Sequence, residues 1–174
     1  MSAKYEFVPG DTITIAPGRT LKRIRALATI AVAGVAPGNL GGYVESETNL
    51  AQVSGDAWVS GDARVYGNAQ VSGDAWVYGN ARVYGNARVY GNAQVYGNAR
   101  YITISPIGSE NGCLTAFVQK DGSIILNRGC FSGTIEDFLA VVKTKHGDTS
   151  HGVAYRAAVE LIKARLDTSK DTAQ

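Results

Sequence analysis

The chain has 174 residues, 45% of them hydrophobic and 18% charged, which suits one or two compact units and excludes a long disordered protein. Its net charge of +2 divides into five basic and four acidic groups in 1–50, four and three in 51–100, and eight and eight in 101–174, so no segment is a basic tail and no strong nucleic-acid signal exists. With 21 Gly against 4 Pro, the composition points to internal repetition.

Residues 1–50 read as short strands, 5–8, 12–15 and 20–29, punctuated by Pro9-Gly10, Pro17-Gly18 and Pro37-Gly38, and are expected to form an N-terminal β cap. Within them, Lys22-Arg23-Ile24-Arg25 followed by the apolar run 26–36 imitates a secretory signal. The run begins behind a Pro/Gly-punctuated segment and is far shorter than the roughly 20 residues that span a bilayer. The expectation is therefore a cytoplasmic protein with no membrane segment.

From 51 to 98 the chain is eight unbroken hexads: AQVSGD, AWVSGD, ARVYGN, AQVSGD, AWVYGN, ARVYGN, ARVYGN, AQVYGN. Val at the third position suits an extended backbone with its side chain inward, whereas Gly and Asp/Asn at the fifth and sixth tolerate tight bends. Each hexad is thus one short strand plus one corner. Three hexads make a triangular coil, and successive coils stack about 4.8 Å apart.

Positions beside each Val point outward, and residues eighteen apart share a wall. One wall carries Gln52, Ser54, Gln70, Ser72, Arg88 and Tyr90. A second carries Trp58, Ser60, Trp76, Tyr78, Gln94 and Tyr96, an apolar exposure that a monomer would rarely leave bare; Trp58, Trp76, Tyr78 and Tyr96 are the candidate oligomer contact. The third carries Arg64, Tyr66, Arg82, Tyr84 and Arg100, a ladder of guanidinium and phenol groups suited either to structural stacking or to an anionic, ring-bearing ligand.

After Arg100 the hexads stop, and 101–174 read as a small α+β module. Strands 113–119 and 123–130 flank Asp121-Gly122, a two-residue hairpin signal that pairs Lys120 with Ser123 and sets Cys113 opposite Cys130. That register permits a bridge, although two unreacted thiols are the expectation in a reducing compartment. Thr134 with Asp137 forms a capping-box pattern, starting a helix that Gly147 ends. Tyr155, Ala158, Val159, Ile162 and Leu166 mark the buried stripe of a second helix.

A second candidate anion site is Arg128, Ser132 and Thr134, where a Gly-containing turn meets a helix N-terminus, though a plain N-capped connection accounts for the same residues. Cys130 and His146 stand at opposite ends of a helix of about twelve residues, roughly 18 Å long, too far apart for a nucleophile-base pair. His146, His151 and Asp148 lack a well-spaced further ligand, so neither a catalytic residue nor a metal or cofactor is assigned.

The aliphatic-and-small pattern Val53/Ala57, Val59/Ala63 and onward to Val95/Ala99 resembles the hexapeptide-repeat family. That resemblance implies a left-handed parallel β-helix for 51–100, between the 1–50 cap and the 101–174 module, and association as a homotrimer. Acyltransferases of that class usually place a general-base histidine on or near the coils, yet 51–98 contain no His and no inserted loop. The segments RIRAL, LGGYVESE and the hexads, together with the tail, resemble uncharacterised bacteriophage and prophage hexapeptide-repeat proteins. This second resemblance implies a phage-encoded cytoplasmic protein and supplies context without catalytic residues; with no histidine in the coils, the expectation is a non-enzymatic binding protein that captures a host protein or a small anionic, nucleotide-like signal, and the phage context suggests counter-defence by sequestration. An acyltransferase and a trimeric virion structural protein are the alternatives.

Overall fold

Glycine at the fifth position of each hexad ends the extended stretch after two or three residues. Seven hexads accordingly give seven very short strands: β4 (Trp58–Val59), β5 (Arg64–Val65), β6 (Gln70–Val71), β7 (Trp76–Tyr78), β8 (Arg82–Val83), β9 (Arg88–Val89) and β10 (Gln94–Tyr96). The computed structural model describes residues 3–16, 18–97, 101–119 and 121–166. Strands one coil apart pair in parallel, Trp58 with Trp76, Arg64 with Arg82 and Gln70 with Arg88. Corners stack as tightly as strands: Asp74 N donates to Gly91 O at 2.8 Å, and a Cβ on Gly73 would lie 2.9 Å from Gly91 N. A side chain there would push the coils apart.

Inside, Ala57, Ala63, Ala69, Ala75, Ala81, Ala87 and Ala93 are fully buried beside Val59, Val65, Val77, Val83, Val89 and Val95. Each Val moved from water into this column contributes roughly 1.5–3 kcal/mol. Alanine fits where the backbone bends toward the centre, and valine fills the flat edge between bends.

Three further strands precede the coils: β1 (Tyr5–Ala16), β2 (Arg19–Ala26) and β3 (Leu40–Val44). The two strands expected at 5–8 and 12–15 are one strand, because Pro9-Gly10 sits in a bulge between the pairs Phe7–Ile24 and Thr12–Lys22. β1 and β2 are antiparallel, β2 and β3 are antiparallel, and β3 then runs parallel to β5, giving a mixed five-stranded sheet in the order β1-β2-β3-β5-β8. Close approach explains Gly41-Gly42 in β3. A Cβ on Gly41 would meet Ile24 at 2.5 Å and Trp58 at 2.8 Å, and one on Gly42 would lie 2.6 Å from Ala63 O.

The first hexad forms no strand, and Val53 is 60% exposed. It is tied down instead by the start of the chain. Gln52 Oε1 accepts from the backbone N–H of Lys4 and Tyr5 at 3.1 and 3.3 Å, Gln52 Nε2 donates to Tyr5 O at 3.2 Å, and Lys4 Nζ donates to Gly55 O at 3.0 Å. Burial holds the Lys4 amine below its ordinary value, against the opposing pull of Asp56 and Asp74. Asn49 supplies another closure: fully buried, its Nδ2 donates to Gly67 O at 2.9 Å and Ala69 O at 2.8 Å.

These observations correct the left-handed parallel β-helix expected for 51–100. The protein is β-rich with two helices, its strands are two or three residues long in the repeat, its largest sheet mixes antiparallel and parallel pairs, and its first hexad is irregular. The physical reason is that a hexad with two residues spent on a corner leaves too little extended chain for a long uniform ladder, so 1–50 enters the sheet itself. Contacts divide the chain into two compact units, Met1–Asn98 and Ala99–Gln174.

The second unit is an antiparallel sheet of β11 (Tyr101–Ile107), β12 (Gly112–Val118), β13 (Ile124–Arg128) and β14 (Phe131–Thr134), followed by α1 (Ile135–His146) and α2 (Ser150–Leu166). Its hairpin register differs by one residue from the expected one, with Leu114 facing Arg128 and Val118 facing Ile124. Asp121 is the cause. Its Oδ1 accepts from Ser123 N at 2.9 Å and Ser123 Oγ at 2.6 Å, bonds that hold its carboxyl below the ordinary value and start the turn one residue early. Cys130 is thereby carried past the ladder into the turn between β13 and β14, and both thiols are free. Lys120 lies outside the described residues.

At α1, Thr134 Oγ1 accepts from Asp137 N at 3.2 Å while Asp137 Oδ2 accepts from Thr134 N at 3.1 Å, and Gly147 caps the other end. Phe138, Val142, Tyr155, Val159 and Ile162 of the two helices pack into one core with Leu114 and Leu126 of the sheet. Replacing Asn49 by Ala takes the donor from the buried carbonyl of Ala69 and the half-buried one of Gly67 and should cost about 1–3 kcal/mol, read as a lower urea midpoint; Asn49→Asp, which sets carboxylate oxygens against those carbonyls, should cost more.

Candidate binding cleft

Parallel pairing eighteen residues apart turns one position of the hexad into a column. Arg64 and Arg82 are in register on β5 and β8, with Tyr43 of β3 next to Arg64. Two residues on, the Tyr66 and Tyr84 rings stack at 5.3 Å between centroids and 10° between planes. The β1–β2 hairpin brings Thr14, Ile15 and Arg19 to the same place, enclosing with Arg64, Tyr66 and Arg82 a cleft of about 360 Å³.

Arg19 is held on two sides. Its Nη1 donates to Glu45 Oε2 at 2.7 Å, and its guanidinium lies 5.5 Å from the centre of the Tyr66 ring. The same Glu45 oxygen accepts from Gly67 N at 2.7 Å, so the backbone of the repeat fixes the carboxylate that fixes the arginine. Arg64 makes no ion pair and no side-chain hydrogen bond among the described residues. By contrast Arg23 is fully engaged: it donates to Gly41 O at 2.9 Å and to Tyr43 Oη at 2.7 Å, pairs with Asp11 at 3.0 Å and covers the Tyr43 ring at 4.3 Å. Arg25 is paired with Glu6.

Of the ladder read from the sequence, Arg64, Tyr66, Arg82 and Tyr84 therefore come together, and Arg100 lies outside the described residues. Sequence reasoning missed Thr14, Ile15, Arg19 and Glu45. The signal for Thr14, Ile15 and Arg19 was Pro17-Gly18 between two alternating segments, a turn signal whose flanks meet at one end of a hairpin, whereas Glu45 carried no local signal.

The second candidate set is not assembled for an anion. Arg128, with its side chain 13% exposed, donates from Nε to Tyr155 Oη at 3.1 Å and from Nη2 to Ile107 O at 3.3 Å, with Glu110 3.6 Å from Nη1. Ser132 faces Asn127 across the β13–β14 pair and is exposed, and Thr134 is spent on Asp137, whose carboxylate already occupies the helix start. Among the described residues no group of three or more His, Cys, Asp and Glu is placed to hold a metal; the His146 and His151 rings meet edge to face at 6.1 Å and Asp148 pairs with Arg156 at 3.1 Å.

Nor is the tryptophan wall uniformly open. Trp58 is fully buried beneath Gly41, its Nε1 without a hydrogen-bond partner among the described residues. Trp76 donates from Nε1 to Ser60 Oγ at 2.8 Å and stacks on Tyr78 at 4.3 Å, and Tyr78 contacts Tyr96 at 4.9 Å. Only Tyr96, 53% exposed, projects freely from this stack.

The model of the YdcK β-solenoid repeat matches the chain at residues 51–67, 58–73, 63–79 and 81–97. Residues 51–97 are a β-solenoid repeat. No curated protein matches the chain in sequence. No helix among the described residues is long and apolar enough to cross a membrane.

Arg128→Ala should remove the bonds to Tyr155 and Ile107 and lower stability by about 2–3 kcal/mol in a denaturant titration. Binding in the cleft should be unchanged by it. In thiol labelling of the native protein, exposed Cys130 should react well ahead of half-buried Cys113, with both labelled after unfolding.

Proposed function

We propose that the protein is a non-enzymatic binding protein that holds a small anionic, ring-bearing ligand in the cleft of Arg19, Arg64, Arg82 and Tyr66. The convergence of three guanidinium groups and an aromatic face from the hairpin and two coils carries this reading. Cationic planar groups bind anions bidentately and stack on rings, and clefts of a few hundred Å³ suit small molecules. Within this reading the ligand is a nucleotide-like signal, and the resemblance to phage and prophage proteins supports sequestration of that signal in an infected or lysogenic cell. The absence of histidine from the hexads favours binding over acyl transfer.

A second copy of the chain is the proposed partner at the Trp76–Tyr78–Tyr96 stack, with a homotrimer as the assembly. Stacked aromatics with an exposed terminal ring favour such a contact. Native mass spectrometry of protein purified from infected cells should find a small molecule retained by the wild type and lost from Arg64→Ala/Arg82→Ala; retention by that variant would refute the cleft. Light scattering should give three times the chain mass, falling on Tyr78→Glu/Tyr96→Glu.

A further inference from the structure

We infer that Arg64 is the group that grips the ligand, taking an oxyanion on the planar fork of its guanidinium, with the Thr14 hydroxyl as a further donor. This rests on the binding reading above and adds the contact that makes it. The arginines of β2 are each matched to a carboxylate: Arg19 with Glu45, Arg23 with Asp11 and Arg25 with Glu6. Tyr43, the neighbour of Arg64 in register, is taken as well, because Arg23 covers its ring and donates to its Oη, which itself donates to Asp11 Oδ1 at 3.2 Å. Arg64 is left half-buried in the cleft, with no ion pair and no side-chain hydrogen bond among the described residues. A guanidinium that has given up part of its water without gaining an acceptor costs free energy, and a bound oxyanion returns it.

Arg64 enters the cleft from the repeat and Thr14 from the hairpin, so the two border one space of about 360 Å³. The Thr14 side chain is exposed, and its hydroxyl makes no hydrogen bond among the described residues. Two N–H groups of a guanidinium lie parallel and match two oxygens of a carboxylate or a phosphate, whereas an ammonium offers a point charge. The hydroxyl adds one more donor. Arg19, fixed between Glu45 and the Tyr66 ring, forms a wall of the site rather than its grip.

Calorimetry with three probes that share a ring and a sugar tests this: adenosine 5′-monophosphate, adenosine 5′-carboxylic acid and adenosine. One or both of the oxyanions should bind the wild type about tenfold to hundredfold more tightly than adenosine, and the tighter of the two names the group recognised. Arg64→Ala should bring that probe to the level of adenosine, and Arg64→Lys, which keeps the charge and loses the fork, should recover no more than about threefold of the loss. Thr14→Val, equal in shape, should weaken it about threefold to tenfold, with adenosine itself unaffected by any of these changes.

No preference of the wild type for either oxyanion, absence of all binding included, overturns the grip, as does an Arg64→Ala chain that binds like the wild type. Full rescue by Arg64→Lys overturns the fork and leaves a point charge, and an unchanged Thr14→Val removes Thr14 from the site. In each of these cases the binding function stands so long as the Arg64→Ala/Arg82→Ala chain loses the species retained from infected cells; retention there sinks the reading itself. Thermal melting of each variant within a few degrees of wild type establishes that folding is not what changed.

Discussion

The backbone of the repeat must turn every six residues around an interior with room for one valine per edge and one alanine per corner. Everything else in the first unit follows from that confinement. The inward positions cannot vary in size, because the next coil repeats the same column above them, and Gly55 and Gly73 cannot carry a side chain, because the backbone of the next corner lies on top of them. Identity from coil to coil is then the cheapest solution, and it forces strict register: with Val65 under Val83 and Val59 under Val77, Arg64 has to meet Arg82 and Trp58 has to meet Trp76.

A stack of short strands exposes unpaired backbone and apolar side chains at the coil where it begins. The N-terminal segment meets both needs with different devices. β3 supplies backbone pairing to β5, and its two glycines allow the approach that seals Trp58. Where no strand continues, side-chain amides stand in for one: Asn49 donates to two carbonyls, and Gln52 bonds the backbone of Lys4 and Tyr5. The same hairpin that closes the sheet carries Arg19 to the Arg64–Arg82 column, so closing the fold and building the cleft are one event.

Legibility tracked the range of the interaction. The burial of Val and Ala, the three walls and the pairing of residues eighteen apart are periodic, and periodicity is written in adjacent letters; likewise the limits of α1 are local, set by Thr134, Asp137 and Gly147. The handed parallel helix came from resemblance, and it failed because the repeat's strands are only two or three residues long and β2 and β3 extend its largest sheet with an antiparallel pair. Trp58 could not be read as buried, since its hexad is identical in pattern to that of Trp76; the difference is a neighbour, Gly41, that meets it only in the fold. Asp121 misled in another way: a side chain that bonds Ser123 overrides the turn preference of the dipeptide Asp121-Gly122 and moves the whole ladder by one. The ladder arginines were legible as a column, whereas Arg19 and Glu45 required knowledge of where the hairpin lands.

Pairing across eighteen residues, three hexads to a coil, also limits how such a chain can change length. Insertion of a full coil would add one rung to every wall and leave each chemically intact. Insertion of a single hexad would rotate all later walls by a third of a turn, bringing an aromatic rung under an arginine one and dissolving the columns without disturbing a single inward valine. Length variation in this repeat is therefore silent for the core and decisive for the surface, so what the outside recognises can be rewritten in steps that folding does not notice.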